Sequence, residues 1–223
     1  MPSATLEEYL ETIYKLAERG DVHPTRIAEE LGVSGPTVTA TLKRLKTQGY
    51  ITRPGTAVAL TRAGTRAALD IIRRHRLAER FLVDTLGIPW EDVHEDACLL
   101  EHALSPRVQD ALERFLENPA ECPHGHPIPA ADGTVADRVG ELLSDQSSEC
   151  EAAVLRVEDE DEDLLTYLAS LGMFPGTTVK VCDVAPFKGP LMVEVGGSRY
   201  ALGRDIASKI VVEPRRRRER RRG

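Results

Sequence analysis

The sequence predicts a mainly α-helical chain with small β parts. We expect an N-terminal winged helix-turn-helix, a helical domain that mediates dimerisation, and a C-terminal small β-barrel. Three observations favour this class. Apolar residues recur at helical spacing through the first half of the chain. Two short helical segments flank a glycine-containing turn, and beyond residue 152 the pattern changes to short strand-like segments separated by Gly and Pro.

The N-terminal segment carries two helix patterns. Residues 5–19 place apolar side chains at helical spacing, with Thr5 as the expected N-cap. A shorter helix is expected from Pro24 to Leu31, and Gly32 ends it.

A second short helix and a hairpin complete this region. The helix is expected from Pro36 to Gln48, with Ser34 as its N-cap and a proline in its first turn. Residues 50–61 have the pattern of two strands about a Pro-Gly turn. Together these elements predict a winged helix.

The middle of the chain predicts three further helices, at about 62–86, 90–103 and 106–116. The polar stretch 132–151 has the composition of a linker and includes a short helix near residues 135–143. Strands of the barrel are expected at 178–184, 191–195, 199–201 and 208–212. The expected boundaries are 1–64 for the winged helix, 65–140 for the helical domain, 141–151 for the linker, 152–214 for the barrel and 215–223 for an Arg-rich tail.

The net charge of −7 is distributed unevenly. Residues 1–74 hold 11 Lys and Arg against 8 Asp and Glu, and residues 215–222 hold seven Arg against one Glu, so the chain between them carries −16. Basic ends suit nucleic acid phosphates, and an acidic middle suits cations.

Cysteine use and hydropathy indicate a cytoplasmic protein. The four cysteines, at 98, 122, 150 and 182, are too scattered for a disulfide framework, so reduced thiols are expected. No apolar run approaches the length of a membrane span, and the first residues lack the pattern of a secretion signal. We therefore expect no membrane contact.

Potential metal ligands cluster on two of the predicted helices. The candidates are His75, Glu79, His94, Cys98, Glu101 and His102. The first two are four residues apart, as are Cys98 and His102, so each pair projects from one helix face. Imidazole, thiolate and carboxylate suit a first-row transition metal better than calcium or magnesium. Because the same chain opens with a DNA-binding pattern, the metal is expected to act as a signal rather than a reagent.

The helix-turn-helix supplies the candidate DNA contacts. They are Arg26, Ser34, Pro36, Thr37, Thr39, Thr41, Lys43, Arg44 and Lys46. No Arg or Asn near the start of the second helix is placed to pair with a base edge. Contact of Pro36 with a thymine methyl group, together with DNA shape, is therefore expected to matter more than bidentate pairing.

These motifs together resemble the diphtheria toxin repressor and iron-dependent regulator family, which includes manganese-responsive members. The resemblance lies in LEEYLETIY at 6–14, RIAEEL at 26–31, VSGPTV at 33–38, HRLAER at 75–80, the run at 94–102, PHGHPIP at 123–129 and LGMFPG at 171–176. It implies a homodimeric repressor with an SH3-like third domain. Two metal sites per subunit, loaded with Fe(II) or Mn(II), would control binding to palindromic double-stranded operator DNA, with one or two dimers per operator. Co(II), Ni(II) or Zn(II) would substitute in vitro.

The resemblance also assigns ligands. One site would be formed by His75, Glu79 and His94. The other would be formed by Glu8, Cys98, Glu101 and His102. Glu8 stands where the iron regulators that this chain most resembles carry a methionine, so the choice between Fe(II) and Mn(II) stays open.

Further ligand candidates follow from the same resemblance. Manganese members carry a second carboxylate at the position of Glu11, and the barrel can lend one near Asp161. Cys122, His124 and His126 also look like a metal cluster, but the resemblance treats their segment as a structural loop.

The expected mechanism is metal-dependent ordering. Without metal, the acidic groups repel one another and the first helix stays mobile, whereas a bound cation holds the DNA-binding domains at the spacing of two half-sites. Two alternatives stay open. A metal-dependent hydrolase would need an open coordination position next to a general base and a substrate pocket, and no nucleophile or phosphate-binding loop appears in the sequence. A metal-buffering or ferrous-transport accessory protein would explain the ligands and the barrel but not the winged helix.

Overall fold

The structure is a computed structural model that describes residues 2–215. It divides into two compact units, each assembled from separate stretches of the chain. The first unit contains residues up to 75, 98–110 and 129–135; the second contains 76–97, 111–128 and the chain from 136 onward.

The first unit contains the predicted helix-turn-helix and wing. Its elements are α1 (Ala4–Glu18), α2 (Pro24–Glu30), α3 (Gly35–Thr47), β1 (Ile51–Thr52) and β2 (Ala59–Leu60). The two strands pair antiparallel, with Ile51 opposite Leu60. Their shared core is formed by apolar residues that include Leu6, Leu10, Ile13, Ile27, Val38, Leu42 and Leu45.

The helix starts follow local hydrogen bonding. Ser34 caps α3 as expected, because its side chain accepts from the Thr37 backbone N–H at 3.4 Å. The expected cap of α1 was wrong: Thr5 lies inside the helix, and the N-cap position is Ser3, whose side chain makes no capping hydrogen bond.

Three further helices follow, α4 (Arg62–Asp84), α5 (Val93–Ala103) and α6 (Pro106–Phe115). Both α4 and α5 run from one unit into the other. The start of α5 lies three residues later than expected because Pro89–Asp92 forms a turn, closed by the Asp92 N–H on the Pro89 carbonyl at 3.0 Å. None of the helices among residues 2–215 is long and apolar enough to cross a membrane.

The second unit is built on a six-stranded antiparallel sheet with the order β3-β8-β4-β5-β6-β7. Its elements are β3 (Glu141–Leu142), a 3-10 turn (Leu143–Asp145), β4 (Cys150–Val157), α7 (Glu162–Ser170), β5 (Thr178–Val184), β6 (Leu191–Val195), β7 (Ser198–Leu202), α8 (Arg204–Ala207) and β8 (Ile210–Pro214). Within the described part of the chain the end strands β3 and β7 are not paired with each other, so the expected barrel is an open sheet.

One predicted helix in the second unit was wrong. Residues 135–140 have no regular structure, Glu141–Leu142 form β3, where Glu141 pairs with Val212 of β8, and only Leu143 belongs to the following 3-10 turn. Gly140 precedes β3 and packs so closely that a Cβ there would lie 2.4 Å from the Val211 side chain. Glycine disfavours a helix, and pairing with β8 satisfies the backbone instead.

The sheet encloses the core of the second unit. It is formed by apolar residues that include Leu143, Val154, Leu165, Leu168, Met173, Val181, Val193 and Ile210. The predicted Arg-rich tail lies outside the described residues except for Arg215, whose guanidinium is 3.0 Å from the Glu151 carboxylate.

Candidate metal centres

A set of titratable side chains joins α1, α4 and α5 within the first unit. We call it the first cluster; its members are Glu7, His75, Cys98, Glu101 and His102. Glu7 Oε2 lies 2.8 Å from His102 Nδ1, and Glu101 Oε2 lies 2.7 Å from His75 Nδ1. Glu101 Oε1 is 3.3 Å from His102 Nε2, and the Cys98 Sγ is 4.0 Å from His75 Nδ1. Soft and hard donors therefore converge at one place.

A buried arginine holds this cluster together. Arg74 donates to Glu7 Oε1 at 2.9 Å and to the Glu101 carbonyl at 2.8 Å. Glu7 and Arg74 are only 5% and 2% exposed, so each ion offsets the cost of burying the other. The carboxylate of Glu7 is thus shared between Arg74 and His102.

Glu8, the ligand expected from the first helix, is exposed, and Glu7 occupies the inward position. One residue along a helix rotates the side chain by about 100°, so neighbours cannot face the same cluster. Glu11 forms an ion pair with Lys15 at 3.0 Å. A carboxylate on the buried face of α1, three residues before the fully buried Leu10, was the signal that identifies Glu7.

A second cluster lies within the second unit, and its central members are Glu79, Cys122 and His124. Their potential ligand atoms lie within 4.8 Å of one another, and all three side chains are buried. His124 Nδ1 is 3.2 Å from Glu79 Oε1. Glu160 borders the cluster, with one oxygen 3.9 Å from His124 Nδ1 and the other 3.0 Å from His94 Nδ1.

Cys122 and His124 are presented by a short turn that we call the ligand hairpin, residues 121–127. The Cys122 N–H donates to the His126 carbonyl and the Gly125 N–H to the Cys122 carbonyl, each at 2.9 Å. Glu121 and Pro127 face each other as an isolated antiparallel bridge. The hairpin therefore has a bridged pair of residues at its base and the potential ligands near its tip.

The tip of the hairpin packs against β4. The Val157 N–H donates to the His124 carbonyl at 3.0 Å, and His126 Nε2 donates to the Val157 carbonyl at 2.9 Å. Gly125 has a φ of +88°, and a Cβ there would lie 2.0 Å from the Leu155 carbonyl oxygen. Only glycine permits this approach.

Burial and neighbouring charges set the protonation of the second cluster. Burial and the nearby Glu79 carboxylate raise the pKa of the Cys122 thiol well above its usual range. Burial disfavours the His124 imidazolium, but the hydrogen bond and charge of Glu79, together with the Glu160 charge and the Trp90 carbonyl, outweigh it and raise the pKa of His124. Both groups therefore hold their protons more tightly than free side chains do.

The orientation of His124 is set from its other ring nitrogen. Nε2 donates to the Trp90 carbonyl at 2.8 Å, and the indole ring of Trp90 packs on the imidazole with centroids 5.4 Å apart. A histidine held at one nitrogen by a carbonyl presents the other nitrogen as a ligand. Nδ1 is thus the donor that faces Glu79.

The second cluster fits a divalent transition metal. Ligand atoms about 2.1 Å from a tetrahedral ion are about 3.4 Å apart, close to the 3.2 Å between His124 Nδ1 and Glu79 Oε1. A cation would also compensate a carboxylate that is 0% exposed. The sequence had marked Cys122 and His124 as a candidate metal cluster, although the resemblance treats their segment as a structural loop.

The acidic run before α7 places a different residue beside the second cluster from the expected ligand, Asp161. Asp161 is exposed and caps α7, accepting from the Leu164 N–H at 3.0 Å. Its neighbour Glu160 borders the second cluster instead.

The two histidines predicted for one site lie in different units. His75 belongs to the first unit, where it bonds Glu101, and His94 belongs to the second, where it contacts Glu160.

The predicted DNA-contact residues of α3 are exposed with one exception. The exposed members are Ser34, Pro36, Thr37, Thr39, Lys43, Arg44 and Lys46. Thr41 is 6% exposed and lies on the face that buries Val38 and Leu45, so its assignment to DNA contact was wrong. Arg26 is half-buried and donates to the Asp21 carbonyl at 3.0 Å.

Family models match three parts of the chain. Residues 1–55 match "Iron dependent repressor, N-terminal DNA binding domain", and residues 61–130 match "Iron dependent repressor, metal binding and dimerisation domain". The chain belongs to the iron-dependent repressor family. Residues 142–214 of this family member match the FeoA domain. The first two domains imply a homodimer that binds DNA.

Similar proteins cover nearly the whole chain. The diphtheria toxin repressor of Corynebacterium diphtheriae is 41% identical over 222 residues, which are 94% of this chain and 96% of that protein. The iron-dependent repressor IdeR of Mycobacterium tuberculosis is 38% identical over 227 residues, with the same two shares. The matched family consists of DNA-binding repressors, so the family member described here is a regulator and not an enzyme.

Solved structures of similar fold include metal-bound repressors. A manganese-dependent transcriptional repressor in complex with manganese has a TM-score of 0.86 and 35% identity, covering 94% of this chain and 100% of that one. ScaR with bound Cd2+ has a TM-score of 0.78 and 33% identity, covering 95% and 99%.

Proposed function

We propose that this family member represses metal-homeostasis genes in the cytoplasm by binding palindromic operator DNA as a dimer loaded with Fe(II) or Mn(II). One observation supports metal control above the others. The 2.8 Å contact between Glu7 and His102 joins α1, which packs in the core of the DNA-binding region, to the helix that carries Cys98 and Glu101. A metal bound among these side chains acts directly on the position of α1.

Cys98, Glu101 and His102 are the proposed ligands of the first cluster. Glu7 accepts from His102 Nδ1 and so leaves Nε2 for the metal, the arrangement in which a carboxylate orients a ligating histidine. Three protein donors leave a coordination position open. Glu8 stays a proposed fourth ligand, which a rearrangement at the start of α1 would supply.

Glu79, Cys122 and His124 are the proposed ligands of the second cluster, with Glu160 at its edge. The metal, when bound, supplies positive charge that offsets the buried carboxylate and favours the thiolate. A thiolate in each cluster favours Fe(II), Co(II) or Zn(II), while the carboxylates keep Mn(II) competitive. We therefore propose that either Fe(II) or Mn(II) loads the two clusters.

Metal-dependent DNA binding is the decisive test. Duplexes enriched from a random-sequence library by the Mn(II)-loaded protein would serve as the probe, measured by fluorescence anisotropy with Mn(II), with anaerobic Fe(II) and after chelation. We expect tight binding only with metal, and palindromic symmetry in the enriched sequence. Cys98→Ser should weaken the metal response, whereas Cys182→Ser, on β5, should not. Equal affinity with and without metal would contradict the proposal.

The FeoA-domain match favours a second candidate, a metal-buffering or ferrous-transport accessory protein. Such a protein would bind metal at both clusters without any effect on DNA affinity. The same anisotropy series separates the two, because only a repressor couples the two binding events.

A further inference from the structure

Two arginines of α4 lie on either side of Glu79 in the sequence. Arg76 and Arg80 are four residues apart, so they project from one face of the helix and reach the same neighbour. Both are half-buried, and both belong to the second unit.

Each arginine donates to one end of the ligand hairpin. Arg76 Nη1 lies 2.5 Å from the Pro127 carbonyl oxygen, and Arg80 Nε lies 2.7 Å from the Glu121 carbonyl oxygen. These two acceptors belong to the residues that pair across the base of the hairpin. The guanidinium groups therefore hold both strand ends at once, on consecutive turns of the helix that also carries Glu79.

The hairpin needs such external support. It contains one isolated bridge and a tight turn, and short two-stranded hairpins are marginally stable by themselves. Hydrogen bonds from a charged donor are stronger than neutral ones and fix direction as well as distance. The position of Cys122 and His124 relative to Glu79 therefore depends on these two arginines.

We propose that Arg76 and Arg80 are positioning residues of the second cluster, which hold the ligand hairpin in register with Glu79 so that the three donors meet before metal arrives. The inference rests on the proposed metal-binding function of that cluster. Metal sites lose affinity when donors are displaced by about 0.5 Å. Loss of the hydrogen bonds from Arg76 and Arg80 to the ligand hairpin should therefore appear first as weaker metal binding.

Arg66 provides a matched control on the same helix. It donates to the carbonyls of Asp132 and Ala131 at 2.7 and 3.0 Å, within the first unit. Arg66→Lys therefore removes the same kind of bond from a neighbouring part of the chain without touching the ligand hairpin.

The experiment compares Arg76→Lys, Arg80→Lys and Arg66→Lys, which retain the charge but not the guanidinium geometry. All are made in a Cys98→Ser background, so that thiolate-to-cobalt absorption during a Co(II) titration reports Cys122. We expect the dissociation constant for Co(II) to rise about 10- to 100-fold in the first two variants, the range seen when partners that orient metal ligands are removed. Arg66→Lys should change it less than about threefold.

A second measurement needs no metal. In the metal-free proteins, the rate of Cys122 alkylation is followed by mass spectrometry, with Cys182 as the internal reference for a folded chain. We expect Cys122, 0% exposed in the wild type, to react faster in Arg76→Lys and Arg80→Lys only. Unchanged Co(II) affinity and alkylation in both variants, or an equal change in Arg66→Lys, would overturn the inference. If the absorption persists in Cys122→Ser, the metal assignment fails, and the alkylation rates still decide whether the arginines hold the hairpin.

Discussion

Glu7 Oε2 lies 2.8 Å from His102 Nδ1, and the other oxygen of the same carboxylate lies 2.9 Å from Arg74. The first helix is therefore bonded through Glu7 to α5, the helix that carries Cys98 and Glu101. This contact distinguishes two neighbouring acidic residues: Glu7 holds α1 against α5, whereas Glu8 is exposed and is the residue proposed to complete a metal site.

Glu7→Gln should destabilise the metal-free protein by about 2–3 kcal/mol, because the buried Arg74 loses its charge partner. Urea unfolding in the presence of chelator measures this. Glu8→Gln is the matched control: it should leave metal-free stability within about 0.5 kcal/mol, because the side chain is exposed. It should still raise the Mn(II) concentration needed for half-maximal DNA binding, and an unchanged requirement would remove Glu8 from the ligand set.

Gly125→Ala should detach the ligand hairpin from β4. A Cβ at this position would lie 2.0 Å from the Leu155 carbonyl oxygen, and the backbone conformation itself disfavours alanine. Gly172→Ala is the control, since Gly172 has a similar φ of +70° but open space around it. We expect a loss of about 1 kcal/mol in the control and about 3 kcal/mol or more at Gly125. Similar losses in calorimetry would contradict the close packing.

Metal binding at the second cluster should release protons. Burial and Glu79 raise the pKa of Cys122, and the hydrogen bond and charge of Glu79, together with Glu160 and the Trp90 carbonyl, outweigh burial to raise the pKa of His124, so both groups keep their protons to higher pH than free side chains do. Both must lose that proton to bind an ion. Affinity should therefore rise with pH, by up to about 100-fold per pH unit while two protons are displaced, and fall as the solution is acidified.

Proton release is measured directly by titrating Zn(II) into weakly buffered protein in a Cys98→Ser background. Cys122→Ser should reduce the number of protons released per bound Zn(II) by about one, whereas Cys150→Ser, on β4, should not change it. A pH-independent affinity between about pH 6 and 8 would contradict this protonation scheme.

Two threonines of α3 should have separable effects. Thr39→Ala removes an exposed side chain and should alter operator affinity with little change in stability. Thr41 is 6% exposed, so Thr41→Ala should lower the free energy of unfolding by about 1 kcal/mol and leave sequence preference intact. Anisotropy on operator and random DNA, paired with urea unfolding, distinguishes the two. If Thr41→Ala altered the DNA sequence preference and Thr39→Ala did not, Thr41 would have to be assigned to DNA contact.

Local patterns were sufficient for most of the fold. The helix-turn-helix depends on capping and on turns within a few residues, and strands β5 and β6 begin and end at the predicted residues because Gly and Pro delimit them. The helix expected at 135–143 failed for a nonlocal reason. Its residues Glu141 and Leu142 pair with β8, and no short-range pattern reveals a partner so far along the chain.

The first cluster was largely predictable because helical spacing alone brings Cys98, Glu101 and His102 to one face. Tertiary structure decided the rest. Rotation of α1 against the core turned Glu7 inward and Glu8 outward, which depends on how the helix packs. Cys122 and His124 reach Glu79 only because the ligand hairpin docks on β4 and on the arginines of α4. The sequence determined which donors exist, and long-range hydrogen bonds and packing determined which of them meet.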